Sequence, residues 1–225
     1  MSEKEEKNTT STKLNGFLEK NRKYVFAFSS VLIVLLIGFL VFEVVKSATT
    51  NKNLAAIDSV FYQMTQGSDQ LDDVALESKR VEFIEKLTPY AAKGGIVGVR
   101  ANLICAELSF QKKDYANAIT YWNNAETKGK KLYTAPIASF NKGVCYEQLG
   151  NLDEAANAYK VAADFEDYVM KNHAKFSYGR VLETQGKYAD AAAAYTELND
   201  NSPDDRWAQL AKTRLIALSV ENKIQ

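Results

Sequence analysis

Three stretches of this chain repeat one pattern, and that period limits the possible folds more than any other feature. They are "KDYANAITYWNNA" (residues 113–125), "GNLDEAANAYKVA" (150–162) and "GKYADAAAAYTEL" (186–198), set 37 and 36 residues apart. Each holds a turn and a large apolar residue (Tyr115, Leu152, Tyr188). An alanine follows three on (Ala118, Ala155, Ala191), and an aromatic four further (Trp122, Tyr159, Tyr195). A second helical stretch precedes each: "RANLICAELSFQK" (100–112), "IASFNKGVCYEQL" (137–149) and "HAKFSYGRVLETQ" (173–185). Small residues Ala106, Gly143 and Gly179 stand nine positions before the apolar residue that follows each turn. The unit is therefore helix, short turn, helix, and one unit cannot bury its own apolar face without a neighbour. The small residue of the first helix predicts a close approach, Gly143 against Ala155 for instance, with the aromatic filling the space between neighbours.

This unit resembles the tetratricopeptide repeat, whose period is about 34 residues. The family's small pair is matched by Ala106 with Ala118, Gly143 with Ala155 and Gly179 with Ala191. Its late aromatic is matched by Trp122, Tyr159 and Tyr195, and the alanine after it by Ala125 and Ala162, with Leu198 departing. Pro203 supplies the terminal proline in the third copy only. Ser109 and Leu182 stand where an aromatic is usual, and Lys142 where leucine is usual. The resemblance covers about residues 99–205 and implies an all-α superhelix. Downstream, residues 206–225 read as a capping helix, with Trp207, Leu210, Ala211, Leu215 and Leu218 on one stripe and a polar opposite face. Upstream, residues 47–98 read as a degenerate helix pair (54–64 and 76–87) joined by "QGSDQ" and ended by "KGG". Only three prolines and eleven glycines interrupt the 225 residues, which favours helices over short strands.

The N-terminal part differs in kind. "YVFAFSSVLIVLLIGFLVF" (24–42) passes nineteen residues without a charge. At about 1.5 Å per residue it crosses a hydrocarbon core of roughly 30 Å. The run exceeds a signal peptide's apolar region of about 7–15 residues, and "VVKSATT" closes it without a clean cleavage site. Leu, Ile, Val and Phe on every face argue against a helix of a soluble core. Residues 24–46 thus read as an uncleaved transmembrane signal anchor. Lys20, Arg22 and Lys23 precede it, with Lys4, Lys7 and Lys13 further back, whereas Lys46 and Lys52 are the nearby cations after it. The positive-inside rule then puts the N-terminus of a single-pass protein in the cytoplasm and everything after about residue 46 outside it. Residues 1–23 form a polar cytoplasmic tail, expected to be mostly disordered. A sequon at Asn8 would not meet the glycosylation enzyme there.

The chemistry of a catalytic site is sparse. His173 is the single histidine, which excludes His-rich metal sites, and no nucleophile elbow accompanies it. "GGIVG" (94–98) lacks a preceding strand and a following Gly-Lys-Ser/Thr, so it reads as a helix stop and turn, not a phosphate loop. Cys105 and Cys145 sit on first helices of successive repeats; outside the cytoplasm a disulfide between them is chemically allowed, but spacing alone does not bring their Cβ atoms together, and buried, unpaired thiols are the expectation. "DFED" (164–167) reads as a solvated helix end, not a calcium site. Charges balance at 28 basic and 28 acidic residues with no basic run, which gives a nucleic-acid partner no electrostatic support. The reading is of a protein without enzymatic activity, cofactor or metal.

A binding surface remains. The resemblance implies that first helices line a concave groove able to hold a peptide or a partner's helix. Counting along those helices, Arg100, Leu103, Glu107 and Phe110 point into it, then Phe140, Val144 and Glu147, then His173, Phe176, Arg180 and Glu183. An apolar middle with charges of both signs suits an amphipathic protein segment. Phe140 and Phe176 could instead pack against the next repeat. Leu103 and Glu107 occupy positions where a carboxylate clamp would need a basic residue and an asparagine, so docking of a chaperone's C-terminal tail is unsupported. Tail, anchor and outward-facing repeats together resemble bacterial membrane-anchored repeat proteins, the ancillary subunit family of the SecYEG translocon among them. That resemblance implies an inner-membrane anchor with the repeats in the periplasm, and an adaptor, chaperone-like at the secretion translocon, with translocon, chaperones or secreted clients as protein partners. The alternative is a structural scaffold in a cell-envelope secretion or motility machine.

Overall fold

The structure, a computed structural model, describes residues 15–130 and 132–224. The first fourteen residues of the expected cytoplasmic tail, with Lys4, Lys7, Lys13 and Asn8, lie outside them. Residues 15–20 of that tail are helical. The described residues fold into helices without strands, and the chain divides into two compact units, residues 1–52 and 53–225.

Helix α1 (Arg22–Thr65) carries the apolar run. It is long and apolar enough to cross a membrane, and none of its most apolar 18-residue window is buried against protein. Its C-terminal part belongs to the second unit, to which it supplies Ile57 and Met64 as core residues.

A 3-10 turn (Ser68–Gln70) leads to α2 (Asp73–Ala91), and three helix pairs follow. They are α3 (Gly95–Gln111) with α4 (Tyr115–Lys128), α5 (Thr134–Gln148) with α6 (Leu152–Ala163), and α7 (Lys171–Thr184) with α8 (Tyr188–Asn201). Helix α9 (Arg206–Val220) closes the array. Each helix packs on the next, and α9 also reaches back to α7. Aspartate side chains start three of these helices: Asp72 accepts from the Ala75 N–H at 2.7 Å, Asp114 from Asn117 at 3.3 Å and Asp205 from Trp207 at 2.7 Å. Such caps typically contribute about 1 kcal/mol each by satisfying an orphan donor.

The turn inside each pair has the same geometry. Lys113, Gly150 and Gly186 hold φ of 60°, 75° and 74°, the left-handed conformation that ends a helix. The N–H after each bonds back to a carbonyl five residues earlier: Asp114 to Ser109, Asn151 to Tyr146 and Lys187 to Leu182, all at 2.9 Å. Glycine takes this conformation without penalty, and Lys113 does not.

The core is a row of clusters, a small one of Ala162, Tyr168 and Ala174 among them. Ile57, Phe83, Leu87, Ala101 and Cys105 fill the first. Ala106, Ala118, Trp122 and Cys145 fill the second. Ala155, Tyr159 and Val181 form the next, and Leu182, Tyr195, Leu198, Ala208, Ala211 and Leu218 the last. The close approach expected of Gly143 with Ala155 takes another form. A Cβ on Gly143 would stand 2.8 Å from the Tyr159 ring, and one on Gly179 would stand 2.6 Å from the Tyr195 ring. The glycine makes room for the aromatic of its own repeat, because the long side chain reaches the gap that alanine leaves open. On α9, Ala208, Ala211, Leu215 and Leu218 face the core, while Leu210 is exposed. Successive helical residues turn by about 100°, which swings Leu210 off the line of Ala211. The outer face is less polar than expected, with Ile216 58% and Val220 77% exposed.

Candidate functional site

The eleven residues expected in the groove fall into four groups. Arg100, exposed on α3, pairs with Asp58 on α1 at 2.5 Å. Leu103 and Phe110 are half-buried against the second core cluster, Phe110 edge-on to Tyr115 at 5.5 Å. Glu107 stays exposed and accepts a hydrogen bond from Gln111 at 2.9 Å. Val144 is half-buried beside Tyr159 and Val181.

Phe140, His173 and Phe176 come together in an aromatic row that α9 completes. Phe140 lies 5.2 Å from Tyr159 and 4.7 Å from His173, centroid to centroid. His173 stacks flat on Trp207, 3.8 Å away with 7° between planes, and Phe176 lies 5.4 Å from Trp207 and 5.7 Å from Tyr195. All three are half-buried, so they pack in the joints between repeats and keep one edge at the surface. Burial lowers the His173 pKa, and the charges of Arg180 and Arg206 lower it further, which favours the neutral ring. Its Nδ1 is buried without a hydrogen-bond partner among the described residues.

Glu147, Arg180 and Glu183 belong to a second row, built on charge. Arg180 donates from both terminal nitrogens to the two Glu147 oxygens at 2.7 Å each, and the Tyr159 hydroxyl donates to Glu147 at 2.5 Å. One repeat on, Glu183 accepts from the Tyr195 hydroxyl at 3.1 Å and from two nitrogens of Arg214, Nε at 3.1 Å. Burial works to raise the Glu147 pKa, but the hydrogen bonds from Arg180 and Tyr159 and the Arg180 charge outweigh it and hold it low. The tyrosine hydroxyls are pushed up, by burial first and then by these carboxylates. Forked arginine–carboxylate pairs of this kind fix geometry as well as charge.

Asp58, Tyr159, Tyr195, Trp207 and Arg214 complete these groups and were not singled out as site residues from sequence. A signal for two of them was present: Glu147 and Glu183 each precede their tyrosine by twelve residues. Cys105 and Cys145 are free and buried, burial pushing Cys105 up to about 12 and Cys145 to about 11. Thiols held so far above neutrality carry little thiolate and are poor nucleophiles. Among the described residues, no three His, Cys, Asp or Glu side chains gather in a group able to hold a metal ion.

The tetratricopeptide repeat family pattern matches residues 106–169 and 166–206. A "TPR repeat-containing protein" of Treponema pallidum (strain Nichols) is 31% identical over 146 residues, which take in 65% of this chain and 61% of that relative. The match begins within α3 and takes in the rest of the three helix pairs, with their left-handed turns and the glycine-to-tyrosine contacts of the second and third. Residues 106–206 thus match the tetratricopeptide repeat pattern, and the helices they form follow its helix–turn–helix order.

Proposed function

We propose that this protein is a membrane-anchored adaptor. Residues 24–46 hold it in the inner membrane, and its repeats, outside the cytoplasm, bind segments of protein partners. The observation that carries the reading is the pairing of the two rows on α5, α7 and α9. Aromatic edges stand beside carboxylates and guanidinium groups already neutralised by one another. A face whose central carboxylates and guanidinium groups are paired suits amphipathic segments of varied sequence, as emerging secreted clients of a translocon or its chaperones would present. The apolar α1 and the cations at Lys20, Arg22 and Lys23 support the anchor and its orientation.

Ile216 and Val220, exposed on α9, support a second reading. A scaffold in a cell-envelope machine would cover such an outer face permanently. Photo-crosslinkers placed at exposed Glu107 and at exposed Lys160 and Val220, in intact membranes, separate the two. Many substoichiometric adducts at Glu107 are the expected result. One adduct of fixed stoichiometry at Val220, with none at Glu107, would replace the adaptor with the scaffold.

A further inference from the structure

The neutral total charge of this chain hides a segregation. Helices α5, α7 and α9 together carry seven basic residues to two acidic, whereas the second helices α6 and α8 carry one basic to five acidic. Lys142 and Lys175 are spent on Glu126 and Glu197 of second helices. The two carboxylates of the first group, Glu147 and Glu183, each hold an arginine, but the partners are not equally exposed. The Arg180 side chain is 43% exposed against 19% for Glu147, and Arg214 is 42% exposed against 13% for Glu183. Each carboxylate lies beneath its guanidinium, so the surface presents the cation.

A guanidinium has five N–H donors. Arg180 gives two to Glu147 and Arg214 gives two to Glu183, which leaves donors on each for another acceptor. Both guanidinium groups act on the Tyr195 hydroxyl, so they share one neighbourhood. The carboxylates that act on Arg180 and Arg214 are Glu147, Glu183 and Glu221, and Glu221 is itself paired with Lys223 at 2.6 Å. Arg206 is a weaker contributor, because Asp204 and Asp205 stand beside it in the chain. Phe176 precedes Arg180 by four residues on α7, so the aromatic row runs about 6 Å from the guanidinium groups along the helix. At the α3 end the same face keeps the exposed carboxylate of Glu107, so the positive part is the α7–α9 end.

We propose that the face of α5, α7 and α9 selects acidic amphipathic segments of a protein partner, taking side-chain carboxylates on Arg180 and Arg214 and apolar side chains on Phe140, Phe176 and Trp207. The proposal rests on the reading of the first-helix face as the binding surface, and adds the charge of what it binds. An ion pair whose two members were equally exposed would attract no third charge. Here the carboxylate is the deeper member, so an arriving anion stands nearer the guanidinium than the buried oxygens, and the attraction prevails. A carboxylate also accepts two free N–H groups of one arginine in forked geometry. Arg180 and Arg214 sit on neighbouring helices of this face, so one segment crossing α7 and α9 engages both. A basic segment meets like charge at the same two points, which adds repulsion to the selection.

The test titrates the full chain, in non-ionic detergent micelles, with three capped peptides of about twelve residues that share their apolar positions and carry glutamate, glutamine or lysine at the others. The glutamate peptide should bind about tenfold more tightly than the glutamine peptide, and the lysine peptide weakest of all. Glu183→Gln combined with Arg214→Gln removes the outer cation together with its carboxylate and leaves the net charge of the chain unchanged. That variant should weaken the glutamate peptide about tenfold and the glutamine peptide by less than about twofold. Should it melt early, Arg214→Lys keeps the charge without the fork and should still weaken the glutamate peptide severalfold. Lys160→Gln, which takes an exposed cation from α6, should leave all three affinities unaltered. Equal affinity for the three peptides, or a glutamate peptide indifferent to the Arg214 variants, would overturn the acidic preference and leave the adaptor reading standing. A loss with Lys160→Gln as large as with the Arg214 variants would reduce the preference to general attraction and overturn it as well. Absence of binding by all three peptides would remove the first-helix face as a peptide site, and with it both the proposal and the reading beneath it.

Discussion

Arg180 grips Glu147 through two hydrogen bonds of 2.7 Å, and the two residues belong to first helices of neighbouring repeats. The pair thus ties α5 to α7 across a joint otherwise held by apolar contact. The Arg180 side chain is still 43% exposed, so solvent screens part of the attraction. A double-mutant cycle with Glu147→Gln and Arg180→Met should return a coupling of about 1 kcal/mol in chemical denaturation. The acid limb gives a second reading. Glu147 is held below its ordinary pKa, so its contribution is full above the unfolded value and is lost as pH falls through the folded one. Arg180→Met removes the main partner, and its acid unfolding should begin at higher pH than the parent's.

His173 becomes charged on protonation where Glu147 becomes neutral, yet the direction of stability is the same. Its folded pKa is lowered, by burial first and then by Arg180 and Arg206. An unfolded histidine binds its proton near pH 6.5. Below that value, down to the folded one, the unfolded state binds more protons, so stability falls as pH falls. Phe140 and Trp207, which face the ring, do not titrate in this range. His173→Phe keeps a stacking ring without a proton, and its melting temperature should fall less between pH 7.5 and 5 than the parent's. Parallel curves for both would mean that His173 takes no part in the acid response.

The Tyr159 ring fixes a third expectation. A methyl group on Gly143 would meet two ring carbons at 2.8 Å, and the ring cannot swing away while its hydroxyl is bonded to Glu147. Gly143→Ala should therefore destabilise the repeats by about 1–3 kcal/mol, the usual range for overpacking. Lys160→Ala, at an exposed position of α6, should change stability by less than about 0.5 kcal/mol and serves as the control.

The period told most of what could be told. Helix pairs, their order and the positions of Gly150 and Gly186 followed from copies 36 and 37 residues apart, because stacking neighbours must repeat what they bury. Which atom fills which gap did not follow. Spacing placed Gly143 opposite α6 but could not choose between Ala155 and Tyr159, since that depends on how far each side chain reaches. Trp207 lies outside the period, in the helix that ends the array, so its stack on His173 had no counterpart to copy.

Lys113 is where the repeat breaks its own rule. It holds φ of 60° at the position where Gly150 and Gly186 hold 75° and 74°. An L-residue with a side chain loses about 1–2 kcal/mol in this conformation, because its Cβ crowds a carbonyl oxygen. Glycine escapes that cost but gives up about 0.4–1 kcal/mol through the larger freedom of its unfolded chain. Lys113→Gly should thus stabilise the array by roughly 0.5–1 kcal/mol, with a rise in melting temperature of a few degrees at most. The turn's hydrogen bonds, Lys113 to Phe110 at 2.8 Å and Asp114 to Ser109 at 2.9 Å, are made by the backbone and survive the change. Gly150→Ala is the reciprocal variant and should lose stability by a similar amount. If Lys113→Gly lowers the melting temperature while Gly150→Ala also lowers it, the two turns are not equivalent, and the first repeat does not share the geometry of the second.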